Sequence, residues 1–173
     1  MLNVMKQRRA CRKFSSHPVE KEKIEQIIQA GLLAPSGMGR QTSAIIAITD
    51  KQTRDELMEL NRSIGGDRWP KGMDPFYGAP VILLVIANKN GLSIYDGCAT
   101  IENMLLEATN QGLGSCWIHR AEQEIESEEG RKLLSFTGLN FDEYVGVGHV
   151  IIGYSEMESY PEKVIKENRV FIK

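Results

Sequence analysis

The run PVILLVIA at residues 80–87 constrains the fold more than any other stretch. It lacks polar alternation and is rich in β-branched side chains, so it forms a strand with apolar groups on both faces. Such a strand lies inside a sheet covered above and below, and the chain must supply helices for both sides. Residues from about Val19 to Ala34 carry Ile24, Ile27, Ile28 and Leu32 at helical spacing, with Glu and Lys opposite. That helix stops at APSGMG, where Pro35 and two glycines cannot continue it. A second long helix spans Ser93 to Gln111, with Ile94, Cys98, Ile101, Met104, Leu105 and Ala108 on a broad apolar face and Gly112 as its stop.

The remaining segments fill in the pattern. SAIIAIT (43–49) reads as a strand, followed by the polar-faced helix DKQTRDELMELN with Asp50 as N-cap. GSCWI (114–118) is a short strand, and SEEGRKLLSFTG carries another helix. YVGVGHVIIG (144–153) is the last strong strand, and its glycines imply close backbone approach. The opening segment through about Lys13 reads as a short helix. Residues 61–78 read as an irregular loop rich in Gly and Pro, of the kind that often carries function. The tail YPEKVIKENRVFIK is polar and basic before it ends in a β-prone RVFI. Strands and helices interleave, which gives an α+β fold with one layer of sheet and helices packed around it.

The 173 residues correspond by length to one domain, 1–173. With 21 basic against 23 acidic residues, the balance argues against a whole-surface nucleic-acid binder and makes any cationic function local. MLNVM is too short for the apolar core of a secretion signal, and Ala79–Ala87 is far short of a membrane span. Cys11, Cys98 and Cys116 are odd in number, widely separated and without a C-x-x-C pair. They give no disulfide or metal framework and suit a reducing cytoplasm.

Most familiar chemistries find no support. There is no G-x-x-x-x-G-K-[ST], and Gly146, Gly148 and Gly153 lie within or after a strand rather than opening a helix. His17, His119 and His149 lack metal-ligand spacing, and Cys116 and His119 would face opposite sides of a strand. His149, in a glycine-rich strand, reads as a satisfied structural histidine. Asp96 and Asn103 lie seven apart on one face of the buried helix and serve either buried polar groups or a cofactor or partner. What stands out is MKQRRACRKF, with Lys6, Arg8, Arg9, Arg12 and Lys13 within eight residues. A charge run alone reads as a solvated helix end. On a helix, however, Arg8 and Arg12 share a face, and such a fork suits a phosphate.

RRACRKF followed by PVEKEKIEQIIQAGLLAPSGMGRQ resembles the opening of the FMN-dependent nitroreductase family, which typically reads R-R-S-x-R-x-[FY] and then A-P-S-x-x-N-x-Q-P-W. MLLEATNQGLGSCWI resembles that family's buried helix and the strand after it. The resemblance runs over nearly the whole chain in the family's order. It implies a central, mostly antiparallel sheet flanked by helices, and a homodimer with FMN at its interface. By the same resemblance Arg8, Arg9 and Arg12 would hold the FMN phosphate and ribityl chain, with the backbone at Ala10 in contact. Pro35, Ser36 and Gln41 would lie along the flavin, and Trp117, Ile118 and His119 would come over the ring, with Arg120 beside them. The tail would cross onto the partner's sheet and return Lys166 or Arg169 to the phosphate. Trp117 is otherwise an ordinary core residue, and Met104 belongs to the core or a dimer interface.

The chain departs from the family's pattern at several places. Ala10 replaces the usual Ser, and Gly39, Thr42 and Ser43 stand where Asn, Pro and Trp are common. Ile165 falls where an arginine is frequent. These changes bear on affinity and substrate range. The implied activity is ping-pong hydride transfer from NADH or NADPH through flavin N5 to a nitroaromatic, a quinone or another electron-poor ring, with no dedicated catalytic side chain and no metal. Dehalogenation, dehydrogenation or flavin fragmentation on the same fold are the nearest rivals. A non-enzymatic anion- or nucleic-acid-binding module stands further off, since it leaves the APS and GLGSCW matches unexplained.

Overall fold

A computed structural model describes residues 1–89 and 92–173. Its centre is an antiparallel sheet of β1 (Ser43–Ile48), β2 (Val81–Asn88), β3 (Gly114–Ile118) and β4 (Tyr144–Gly153), in the order β1-β2-β4-β3. β2 is buried along nearly its whole length, as its unbroken apolar sequence requires. Ile82, Leu84 and Ile86 face one core, with Cys116, Ile118, Ile151, Phe76, Leu57 and Ile125. Val81, Leu83, Val85 and Ala87 face the other, with Ile27, Ile101, Met104, Ala108, Val150 and Ile152.

The helices divide between these faces. α2 (Lys21–Leu32) and α4 (Ser93–Asn110) cover the second core, and α4 ends at Gly112 in a left-handed turn, φ 74°. α3 (Lys51–Gly65), α5 (Ala121–Glu126) and α6 (Glu128–Leu133) cover the first. Asp50 caps α3 by accepting from the Thr53 N–H at 2.8 Å. The glycines of β4 do admit close approach. A Cβ on Gly146 would fall 2.2 Å from the backbone of Ala121, and one on Gly148 would fall 2.2 Å from Trp117 Nε1. Between Val85 and Ile86 the register of β2 skips Val147 on β4, a bulge whose side chain presses on Gly97 of α4.

Two segments differ from the reading of the sequence. α3 runs on to Gly65 and a 3-10 turn continues to Arg68, so irregular chain begins only at Trp69. Arg62 holds Glu59 one turn back, and Gly66 at φ 58° ends the helix. The first helix, α1 (Asn3–Gln7), stops well before Lys13. From Arg8 the chain is extended: Ala10 pairs in parallel with Ser115 of β3, and Cys11 and Phe14 enter the first core. The tail from about Tyr154 carries no strand or helix at RVFI, and its last residues are exposed. No helix among the described residues is long and apolar enough to cross a membrane.

Candidate functional site

The extended segment after α1 sets the geometry of the arginines. In extended chain, side chains two apart share a side, so Arg8 and Arg12 still fall together although no helix carries them. Both guanidiniums act on the Cys116 thiol, drawing it down, while burial, the larger influence, pushes it up. Neither side chain has a hydrogen-bond or acidic partner among the described residues. Arg9 is different. Its Nη1 donates to the carbonyls of Lys6 at 2.7 Å and Arg8 at 2.9 Å, and its Nε donates to Pro161 O at 3.2 Å. It therefore closes the end of α1 and pins the base of the tail.

The outer edge of β3 lies alongside. Ser115 turns its carbonyl outward to Cys11 N at 2.8 Å, so the backbone groups of Trp117, two residues on, face the same unpaired edge. Trp117 is 36% exposed, and its indole lies over Gly148 and stacks with His119 at 6.4 Å between centroids. Ile118 is buried in the first core, His119 is exposed, and Arg120 is half-buried with a left-handed backbone at φ 84°. Burial holds Arg120 below its ordinary pKa, against the pull of nearby Glu124. The hydroxyl of buried Ser115 has no hydrogen-bond partner.

Pro35, Ser36 and Gln41 line a separate cavity of about 310 Å³, with Gly31, Ser43, Asp96 and Thr100. Asp96 organises its rim: one carboxylate oxygen accepts from the Gly37 N–H at 2.8 Å and the other from Thr42 Oγ1 at 2.7 Å. Those bonds hold the Asp96 carboxyl below its usual range. Asn103, two turns on, donates to Ala30 O at 3.0 Å, so Asp96 and Asn103 both satisfy the chain's own groups. Ser36 Oγ accepts from Gln41 N at 2.9 Å, and the buried Ser43 hydroxyl is left without a partner. Thr42 and Ser43, read only as departures from a motif, are thus a structural bond and an open polar group.

The structure brings Arg8, Ala10, Arg12, Trp117, His119 and Arg120 to one edge, and Pro35, Ser36 and Gln41 to another place. Ala10 lies beyond β3 on the row of Ile152, and Ser43 lies on the row of Val145 in β1. From strand spacing and rise these two points are roughly 28 Å apart, at opposite corners of the sheet. Lys166 and Arg169 sit on the exposed tail without a bond to the arginines. Ser115 and Asn61 went unmarked in the sequence, where isolated polar residues carry no spacing signal.

The chain is thus an α+β protein with an antiparallel sheet covered on both faces and with guanidiniums and an exposed indole along one open edge. The nitroreductase family model matches residues 5–154, and the chain belongs to the nitroreductase family. A nitroreductase with bound FMN from Bacteroides fragilis superposes with a TM-score of 0.90 at 26% identity, covering 99% of this chain and 97% of that one. An FMN-dependent nitroreductase from Clostridium difficile gives 0.79 at 30% identity, covering 99% and 98%. The FMN reductase [NAD(P)H] of Bacillus subtilis is 32% identical over 102 residues, which are 59% of this chain and 36% of that protein. The match thus spans about a third of that relative's length.

Proposed function

We propose that residues 1–173 form a single FMN-binding domain of an NAD(P)H-dependent oxidoreductase, which works as a homodimer and reduces an electron-poor acceptor such as a nitroaromatic or a quinone. The observation that carries this reading is the open β3 edge, where unpartnered Arg8 and Arg12 lie beside the exposed Trp117. FMN presents a phosphate, a polyol and a flat ring. The guanidiniums offer partners for the phosphate and polyol, and the indole for the ring. Arg8 and Arg12 would take the phosphate, Ala10 would approach through its backbone, and Trp117 would wall the ring. Arg9 would act indirectly, by fixing the segment that carries its neighbours.

Bound there, FMN supplies hydride transfer to and from its ring, which accounts for a site without an acid–base dyad or nucleophile. The chain's part is to orient the ring and leave one face open to nicotinamide and acceptor in turn. Pro35, Ser36 and Gln41 line a cavity apart from the arginines, and they would reach the cofactor held by a second copy. Exposed Leu33, Met38, Ile94 and Tyr95 flank that region and would be covered by the same contact. The tail would cross to the partner, with Lys166 or Arg169 reaching its phosphate.

The test is a visible spectrum of the purified protein, freed of loose FMN and then mixed anaerobically with NADH or NADPH. The expected result is a yellow protein that bleaches with a nicotinamide and regains colour with a nitroaromatic or quinone. A protein that stays colourless after incubation with FMN overturns the reading, and one that no nicotinamide bleaches overturns its NAD(P)H step.

A further inference from the structure

Three buried polar residues from distant parts of the chain meet under the turn that follows β3. They are Asn61 of α3, Glu124 of α5 and His149 of β4, and all three are fully inaccessible. His149 Nε2 lies 2.6 Å from Glu124 Oε2, and its Nδ1 lies 3.3 Å from the carbonyl oxygen of Ile118. Asn61 Nδ2 donates to Glu124 Oε1 and, at 3.0 Å, to the carbonyl of His119. Asn61 Oδ1 accepts from Arg120 Nε at 3.0 Å and from Nη2 at 2.7 Å. The relay therefore bonds the carbonyl of His119 and the side chain of Arg120, with His149 set against the carbonyl of Ile118.

Stability alone does not call for such a group, since well-packed apolar side chains of similar volume commonly serve a core as well or better. What the relay does is orient two peptide planes. No cis peptide occurs among the described residues, and in a trans peptide the carbonyl and the following N–H point in opposite directions. With Ile118 O and His119 O drawn inward, the N–H groups of His119 and Arg120 face outward, and neither has a partner among the described residues. Arg120 keeps its left-handed φ of 84°, which a residue with a Cβ holds only where its surroundings enforce it. Its guanidinium is further confined over the Trp69 ring, 5.4 Å from the centroid. Two adjacent outward amides at a left-handed residue form a small concave donor for negative charge.

We propose that Asn61, Glu124 and His149 are positioning residues that keep the His119 and Arg120 amides aimed out of the open β3 edge, toward the polar rim of a bound flavin. The proposal rests on the flavin-binding reading above. Donors fixed in advance at a site of developing charge act without reorganisation, so loosening them slows transfer more than it weakens binding.

The test compares the wild type with Asn61→Ala and Glu124→Gln, both loaded with FMN and FMN-free. In Asn61→Ala, single-turnover hydride transfer from the nicotinamide should fall about tenfold or more and the flavin absorption bands should shift, while the FMN Kd changes less than about threefold. In the FMN-free protein the amide 1H–15N resonances of His119 and Arg120 should move or split. Glu124→Gln, which keeps the volume and one acceptor, should change both in the same direction by less, and it carries the test should Asn61→Ala not fold. Variants that lose thermal stability but keep the wild-type spectrum, rate and amide resonances overturn the proposal. A wild type that takes up no FMN defeats the flavin reading instead, and the amide resonances of the FMN-free variants still decide whether the relay positions the turn.

Discussion

Arg9 donates to three backbone carbonyls, whereas Arg8 and Arg12 have no partner among the described residues, and that difference separates their expected phenotypes. Replacing Arg8 or Arg12 by alanine removes charge-assisted bonds to the phosphate and should weaken FMN binding about tenfold each, with stability little changed. Arg9→Ala should instead lower stability by about 1 kcal/mol, because it frees the end of α1 and the base of the tail. Flavin fluorescence titrations and urea midpoints for the three variants distinguish these effects. Equal losses of affinity would mean that the unbonded and the bonded arginines share one task. Asp96 makes a pH prediction of known sign. Its carboxyl is held low by Thr42 and Gly37, so its stabilisation is fully present above the ordinary carboxylate pKa of 3.8 and is lost as pH falls below it. Asp96→Asn should therefore be less stable than wild type at pH 7, and the gap should narrow below about pH 4. A gap independent of pH would show that the Asp96 charge contributes nothing to holding residues 37–42.

Among the elements, the contact between α4 and the bulge of β4 makes the sharpest claim. A Cβ on Gly97 would meet all three side-chain carbons of Val147 at 2.5–3.0 Å, and a β-branched residue held in a bulge cannot swing aside. Gly97→Ala gains helix propensity of about 1 kcal/mol, but overpacking should outweigh it and leave the protein about 1–2 kcal/mol less stable. Val147→Ala in the same chain should recover most of that loss. Urea unfolding at unchanged m-value measures both, and a stabilised single variant would show that the bulge yields. The elements that the sequence discloses are those whose signals are local. β2 shows an unbroken apolar run, α4 ends at a glycine, and the glycines of β4 mark approaches that the fold confirms at Gly146 and Gly148. α5 escapes notice because AEQEIE buries only Ala121, Glu124 and Ile125, too few to show a period. The first helix is read too long because nothing in KQRRACRK stops one. What ends it is the pairing of Ala10 with Ser115 and the burial of Cys11 and Phe14, which depend on residues a hundred positions away. The same limit hides the relay: Asn61, Glu124 and His149 come from three separate elements, and no spacing joins them.

At the scale of the whole molecule, one chain divides its candidate site between two corners of the sheet, and it also leaves two kinds of surface unfinished. β1 is an edge strand whose outer hydrogen-bonding groups have no neighbour in the sheet. The tail carries Val164, Ile165, Val170, Phe171 and Ile172 into solvent, with Phe171 89% exposed. An unpaired edge and an extended apolar segment are complementary, because strand addition satisfies the backbone of both while burying side chains. They need not meet within one chain: Arg9 fixes the tail near Pro161, on the β3 side and away from β1. Two copies could exchange tails, cover Leu33 and Tyr95, and bring each Pro35–Gln41 loop to the other's arginines. A stable dimer of this kind buries more than about 1,000 Å². Sedimentation at micromolar concentration should therefore give twice the 19.4 kDa chain mass. Truncation after Tyr160 removes the exposed apolar residues and leaves the sheet intact, so it should yield a folded protein with weaker dimerisation and FMN affinity reduced by about tenfold or more. A full-length chain that sediments as a monomer and still takes up FMN would place the whole site within one copy. The loop at Pro35 would then not reach the flavin from a second copy, and the two-copy reading of the site would fail.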